Sequence, residues 1–124
     1  MNPELTWQHQ IHTEGDRRTV VPYGEIDMNG APRLQDLLHT AVDNADIVEI
    51  DATAVTFIDS SVISALITAR NTATTTGRHL SLVNASPQVH RILDVTGVLN
   101  ALTASPAAHR RPLQAGRSTP APAR

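Results

Sequence analysis

The chain of 124 residues contains no cysteine and no lysine, and its only aromatic residues are Trp7, Tyr23 and Phe57. Without cysteine there is neither a disulfide framework nor a thiolate metal site. Because aromatic side chains are so scarce, a folded core must be built from Val, Ile, Leu and Ala. A chain of this length is expected to form one domain, which can bury roughly 60–70% of its unfolded surface.

Long hydrophobic runs are also missing. No apolar stretch approaches the ~20 residues that a membrane-spanning helix needs, and residues 1–13 lack the basic-then-apolar pattern of a signal peptide. A soluble cytoplasmic protein that does not contact a membrane is therefore expected.

The charges are unevenly distributed along the chain. All twelve acids lie between Glu4 and Asp94, whereas four of the ten arginines lie in residues 104–124. The first part therefore carries 6 arginines against 12 acids, a net charge of −6, and the last part carries +4. An acidic domain of this kind favours a basic protein partner and argues against direct nucleic-acid binding.

Regular patterning ends near Ala104. Residues 104–124 contain four of the eight prolines together with Ala, Ser, Thr and Arg, and show no hydrophobic period. The sequence thus predicts one domain over residues 1–103 and a disordered Pro/Ala/Arg-rich tail over residues 104–124.

Strand-like and helix-like patterns alternate along residues 1–103. Alternation of apolar and polar residues predicts strands at 5–12, 18–23, 46–51 and 79–84. Capping signals predict three helices, which begin near Asn29, at the 59–61 junction and at Ser86, and a final strand or turn is expected at 98–102. This order predicts a mostly parallel α/β sheet. Because parallel strands end on one edge, segments 24–27, 58–61 and 84–86 are expected to be neighbours.

The junction at residues 57–63, Phe-Ile-Asp-Ser-Ser-Val-Ile, joins a predicted strand to a predicted helix. Asp59, Ser60 and Ser61 are residue types that cap helix starts. The helical period places Ser61 on a polar stripe facing outward and Ser60 at the edge of the buried face. From the residues alone, two interpretations stay open: simple helix capping, worth about 1 kcal/mol, or a regulated hydroxyl placed where a phosphate is favoured.

No set of catalytic residues can be assembled. A G-x-S-x-G motif is absent and no histidine falls in the three edge segments, which argues against a serine hydrolase. Metal binding by Asp27 and Asp59 lacks a third ligand, and Asp27 alone is most simply a solvated loop acid. A phosphate-binding glycine-rich loop is also missing. We therefore expect a protein that is not an enzyme and needs no cofactor or metal.

Four separated motifs occur in an order and at spacings that resemble the STAS domain, and more narrowly the bacterial anti-sigma factor antagonists. They are Gly-Glu-Ile-Asp at 24–27, Ala-Pro at 31–32, Phe-Ile-Asp-Ser-Ser at 57–61, and the segment 82–97 with its Asn-Ala-Ser-Pro and Thr-Gly pairs. The resemblance spans residues 6–102. It implies an α/β fold of the STAS type, a βα superhelix with a mixed sheet of four to five strands and helices packed on it.

The resemblance also implies a function. Members of this family bind an anti-sigma factor, usually a serine kinase that supplies its own ATP, and so release a sigma factor. The kinase then phosphorylates the second hydroxyl residue of the D-S-[ST]-G motif, which is Ser61 here, with Ser60 as the second choice. A monomer or weak dimer is expected. The residues expected to bind the partner are Asp27, Ile58, Asp59, Ser60, Ser61 and Val62.

One residue departs from the family pattern. The glycine that usually follows the phosphorylated hydroxyl is Val62 here. Its branched side chain either obstructs the close approach of a kinase or packs beside Leu66 and Ala69. Obstruction would favour an alternative function, a STAS interaction or scaffold module in a signalling or transport complex that is never phosphorylated.

Overall fold

The structure is a computed structural model, and it describes residues 6–103. In chain order, its elements are β1 (Trp7–Glu14), β2 (Arg17–Ile26), α1 (Ala31–Asn44), β3 (Ile47–Ala52), β4 (Ala54–Ile58), α2 (Ser60–Thr75), β5 (His79–Ala85), α3 (Pro87–Val95) and α4 (Leu99–Thr103). The predicted disorder of residues 104–124 lies outside the described residues, and the domain boundary at residue 103 stays a prediction.

The five strands form one mixed sheet, which confirms the predicted α/β fold. β1 runs antiparallel to β2, while the remaining pairs, β2 with β3, β2 with β4 and β3 with β5, are parallel. β3 and β4 follow one another along the same side of β2, since Val20 pairs with Ile50 and Ile26 pairs with Ile58. The single residue between them is Thr53.

One face of the sheet carries the core. Along β3, Val48, Ile50 and Ala52 are buried while the residues between them are only half-buried, as the period of two requires. Helices α1 and α2 pack against each other, with α1 against β2 and β3 and α2 against β4 and β5. The buried core is aliphatic apart from Trp7, as the composition predicts.

Pro22 explains an irregularity in β2. A proline cannot donate to a strand ladder, yet β2 continues four residues past it, to Ile26, and so extends beyond the predicted end at residue 23. Val21 and Pro22 pair with neither β3 nor β4. They lie between the residues of β2 that pair with β3 and those that pair with β4. Because pairing is interrupted there, the missing proline N–H leaves no ladder bond unmade.

Three local predictions about element boundaries are wrong. The N-cap position of α1 is Gly30, not Asn29, and no side chain caps this helix. Residues 54–58 form a separate strand, because Val55 and Ile58 are buried at the side of β2. Residues 99–103 form a helix in place of a strand or turn, since Leu102 is fully buried and its N–H donates to the carbonyl of Val98.

The other helix signals are confirmed. Ser86 caps α3, because its Oγ accepts from the N–H of Val89 at 3.3 Å, and the same Oγ donates to the carbonyl of Val55 at 2.5 Å. Gly77, at φ +78°, follows the end of α2 in the left-handed conformation that glycine commonly adopts after a helix. The Ser86 side chain therefore fixes α3 directly on β4, the strand that leads to the junction at residues 59–61.

Candidate functional site

Two loops meet at one edge of the sheet. Ile26 and Ile58 are paired across β2 and β4, so the residues that follow them, Asp27 and Asp59, lie at neighbouring strand ends. The backbone N–H of Met28 is also close enough to the Asp59 carboxylate to help lower its pKa, so the two loops are neighbours. The predicted juxtaposition of segments 24–27 and 58–61 is confirmed.

The third predicted segment, residues 84–86, does not reach this edge. The last pair between β3 and β5 joins Ala52 to Ala85, six residues before Ile58. The Ser86 side chain reaches only the carbonyl of Val55, three residues before Ile58 and, at about 3.3 Å per strand residue, roughly 10 Å short of the edge. The prediction is wrong because β5 follows β3 only, and the Asn84 side chain instead hydrogen-bonds Asp51 beside the β3–β4 break.

Asp59 organises the start of α2. Its Oδ1 accepts from the backbone N–H groups of Ser61 at 3.0 Å and Val62 at 3.2 Å, and from the Ser61 hydroxyl at 2.5 Å. Two of the otherwise unpaired N–H groups of the helix start are thereby satisfied by one carboxylate oxygen. The Ser61 hydroxyl is consequently held in a single direction.

The two serines have exchanged the environments that the helical period predicted. Ser60 is exposed, whereas Ser61 is half-buried. The prediction fails because the first turn is positioned by its cap, and the Asp59 carboxylate draws the Ser61 hydroxyl back toward the sheet edge. Ser61 nevertheless stays accessible from an open groove between α1 and α2, whose lining residues are Met28, Ala31, Pro32, Gln35, Asp36, Ser61 and Ser64.

Val62 and Ile58 are core residues. Only 1% of Val62 and 4% of Ile58 is exposed, so the prediction that they bind a partner is wrong. The strand period turns Ile58 toward the core, and the helical period does the same for Val62, which joins the cluster containing Leu66 and Ala69. Of the two placements considered for Val62, packing beside these residues is confirmed, and its side chain cannot obstruct an approaching protein.

Asp27 shapes the loop that leads into α1. Its Oδ1 accepts from the N–H of Asn29 at 3.0 Å, and its carbonyl accepts from Gly30 at 2.9 Å and Ala31 at 3.0 Å. The side chain is half-buried. Asp27 is therefore a turn-forming residue, more ordered than the solvated loop acid that its position alone suggested.

Sequence reasoning missed two apolar residues beside the site. Met28 is 65% exposed in the loop after β2, and Phe57 is 44% exposed at the end of β4. Scarce apolar residues are naturally assigned to the core, but Phe57 directly precedes buried Ile58 in a strand and so points to the opposite face. Large exposed apolar side chains near polar groups are typical of protein-binding surfaces.

The hydrogen bonds to Asp59 also stabilise its charged form. The Ser61 hydroxyl, followed by the N–H groups of Val62, Ser61 and Met28, lowers the pKa of Asp59, while partial burial acts in the opposite direction. A lowered folded-state pKa contributes stability above the unfolded value of about 3.9, and this contribution is lost as the pH falls through the folded-state pKa.

We therefore expect Asp59→Asn to lower the free energy of unfolding at pH 7 but not at acid pH. Asparagine is itself a good N-cap, so α2 should still form. The substitution removes the carboxylate, whose charged form the hydrogen bonds stabilise. Urea unfolding of both proteins at several pH values between about 7 and 2.5 measures the difference, which should shrink below about pH 4. A difference that stays constant over that range would contradict the assigned ionisation.

The described residues offer little for other chemistry. No group of three or more His, Asp or Glu side chains within residues 6–103 could hold a metal ion. Among the helices of this part of the chain, none has the length and apolar character required to cross a membrane.

Comparisons with known proteins bear on the family and the fold of the chain. The family model described as "Mlab, STAS domain" matches residues 9–104. Among solved structures, an anti-sigma factor antagonist from Mycobacterium paratuberculosis is similar with a TM-score of 0.69 and 24% identity, covering 78% of this chain and 82% of that one. The search of curated proteins gives no match.

SpoIIAA is similar in two forms. The unphosphorylated anti-sigma factor antagonist has a TM-score of 0.67, covering 82% of this chain and 92% of that one. The phosphorylated Bacillus cell fate determinant has a TM-score of 0.63, covering 82% and 96%, and both are 16% identical to this chain. These likenesses establish a shared fold. With the match of the family model over most of its length, the chain belongs to the STAS domain family.

Proposed function

We propose that the chain is an anti-sigma factor antagonist, which binds an anti-sigma factor and so releases a sigma factor. It acts in the cytoplasm by binding, without catalysis of its own, and its partner is a serine kinase that inactivates it by phosphorylating Ser61. Membership of the STAS family supports this proposal, as does the fold shared with antagonists, one of them solved in phosphorylated and unphosphorylated forms.

The observation that carries the proposal is the placement of the Ser61 hydroxyl. It lines an open groove between α1 and α2, at the first turn of a helix of 16 residues. Exposed Met28 lies on the same groove, and Asp36 lines it further along α1. An apolar anchor beside acidic and hydroxyl groups suits a partner with a basic rim and an apolar centre.

Phosphorylation would change this surface through Asp59. The kinase transfers the γ-phosphoryl group of ATP to Ser61 Oγ, releasing ADP, and a base of the kinase takes the hydroxyl proton. The new group brings about −1.5 to −2 charges next to a carboxylate oxygen that accepts the hydroxyl at 2.5 Å. The helix N-terminus attracts both anions, but they compete for the same N–H groups.

The consequence reaches the neighbouring loop. When Asp59 is displaced, its interaction with the Met28 N–H is lost, and the phosphate itself enters the groove. The loop that contains Asp27 then loses one of its contacts with the start of α2. Binding is expected to change far more than folding, because the helix start still has an anionic cap.

Phosphosite mapping tests the proposal. The chain is incubated with a cognate anti-sigma kinase and ATP, and the modified residue is located by mass spectrometry. We expect one phosphate on Ser61, its loss in Ser61→Ala, and its persistence in the matched variant Ser60→Ala. A phosphate on Ser60 alone, or no phosphate with a kinase that binds the domain, would contradict the assignment.

A second candidate function is a STAS interaction module that is never phosphorylated. The observation that favours it is the state of the Ser61 hydroxyl, which is half-buried and already donates to Asp59. In that case the hydroxyl serves only to cap α2. Partner binding that survives Ser61→Asp unchanged would favour this module over the switch.

A further inference from the structure

The outer edge of β1 has no partner among the described strands. β1 pairs with β2 on one side only, over all eight of its residues. Natural proteins usually protect such an edge with proline, lysine, a bulge or a covering element. β1 contains neither proline nor lysine, its register with β2 is continuous, and residues 8–13 carry no Asp, Glu or Arg.

The direction of the free hydrogen-bonding groups follows from the register. The N–H of Glu25 donates to the carbonyl of Thr6 at 3.0 Å, and these two residues are opposite each other if the pairing of β1 with β2 is continued by one position. In an antiparallel pair, hydrogen-bonded positions alternate with non-hydrogen-bonded ones. The even-numbered residues therefore bond to β2. The N–H and C=O groups that point to the free edge belong to Trp7, His9, Ile11 and Thr13.

Ile11 is the centre of this edge. It is the one large aliphatic residue of β1, and 40% of it is exposed. His9, two residues away on the same face, has a buried Nδ1 with no hydrogen-bond partner. The buried Nδ1 is not accessible to a second molecule, so the edge offers one exposed apolar side chain, Ile11, and four sets of outward-pointing backbone groups.

We propose that β1 pairs antiparallel with β1 of a second copy of the chain, about a two-fold axis at Ile11 that is perpendicular to the sheet. This axis keeps the helix-covered faces of both copies on the same side, and it places residues of equal parity opposite each other. The facing pairs are Ile11 with Ile11, His9 with Thr13, Gln10 with His12 and Gln8 with Glu14.

A second copy fits this edge because the register is complementary to itself. Each Ile11 covers the other, and both are hydrogen-bonded positions with N–H groups directed outward. The Thr13 hydroxyl of one copy comes opposite the imidazole of His9 of the other, so this pair is polar on both sides. No pair brings together two carboxylates or two arginines. One short strand buries less than the roughly 1,200 Å² of a stable interface, so the dimer is weak and reversible.

Sedimentation equilibrium of the full chain between about 5 and 500 μM tests the proposal, because that range brackets a micromolar Kd. We expect a reversible monomer–dimer equilibrium. Ile11→Lys should raise the Kd by about tenfold or more, since it sets two like charges directly opposite each other. Val83→Lys is the matched control, because Val83 is 44% exposed on β5 and far from β1 in the strand order, and it should leave the Kd unchanged.

Crosslinking locates the contact independently of affinity. The chain has no natural cysteine, and hydrogen-bonded pairs have Cα atoms about 5.5 Å apart, within disulfide reach. Oxidised Ile11→Cys should form a covalent dimer, while Thr13→Cys and Val83→Cys should not. The proposal would be overturned by a chain that stays monomeric at 500 μM, by a dimer that Ile11→Lys does not affect, or by equal crosslinking at residues 11 and 83. If another segment of the chain covers the edge, the first of these results is expected.

Discussion

Replacing Gly24 by alanine is expected to lower the free energy of unfolding by about 2–4 kcal/mol. Gly24 has φ +107°, and a Cβ at this position would lie 2.3 Å from the carbonyl oxygen of Thr6 and 2.9 Å from the Cα of Trp7. Both obstacles are backbone atoms, so a side-chain rotation cannot relieve the contact. Urea or thermal unfolding of the two proteins measures the loss, at about 4–8 °C of Tm for each kcal/mol.

Gly77→Ala is the matched control. Gly77 also has a positive φ, +78°, but a Cβ there would meet nothing within 4 Å. It should therefore cost only the backbone strain, about 1–2 kcal/mol. Equal losses in the two variants would contradict the importance of the close approach, whereas a clear excess in Gly24→Ala would support it.

The same close approach has a bearing on the site. The Thr6 carbonyl that the new methyl group would strike accepts the N–H of Glu25 at 3.0 Å. Glu25 is two residues before Asp27, so a displaced Thr6 disturbs the end of β2 from which the loop to α1 starts. We therefore expect Gly24→Ala to weaken partner binding as well as folding.

Ser61→Asp is expected to weaken binding of the proposed anti-sigma partner by about tenfold to a hundredfold, a cost of about 1.4–2.8 kcal/mol, because it rearranges the surface that faces the partner. The new carboxylate lies beside that of Asp59, which accepts the serine hydroxyl at 2.5 Å, and it displaces Asp59 by repulsion. Displacement of Asp59 releases the Met28 N–H and alters the loop that faces the partner. Titration calorimetry with the purified partner measures the change.

Ser60→Asp is the matched control, which adds a negative charge without placing it against Asp59. It adds the same charge one residue earlier, at an exposed position that no hydrogen bond described within residues 6–103 connects to Asp59. We expect no more than about a threefold change in affinity, as is usual for a charge at the rim of an interface. Both variants should unfold within about 1 kcal/mol of the parent, since an acid in the first turn favours the helix. Equal effects on binding would argue against a specific role of residue 61.

Much of the fold could be predicted from the sequence because its determinants are local. The alternation around Val48 and Ile50, the Ser86-Pro87 helix start and the glycine after α2 are each decided within a few residues. β4 was missed because it continues β3 after one intervening residue, Thr53, and its separate character arises only from pairing with β2.

In the candidate site, too, the sequence predicts the features that local patterns decide and not those that depend on long-range contacts. The meeting of Asp27 with Asp59 follows from parallel strands, and the core position of Val62 was one of two placements that the sequence left open. The environments of Ser60 and Ser61 could not be predicted from the helical period, because a capping carboxylate sets the first turn. The distance of residues 84–86 from the edge depends on the register of β5, which is long-range information that no local pattern contains.

The packing of Trp7 has a practical consequence. It is the only tryptophan of the chain, its indole is buried under the Arg33 guanidinium at 4.7 Å, and a Cβ on Gly30 would lie 2.4 Å from its Nε1. Gly30 belongs to the turn that Asp27 begins. Intrinsic emission from this single fluorophore therefore reports, without a label, on the loop beside Ser61, and it can follow occupancy of that surface in real time.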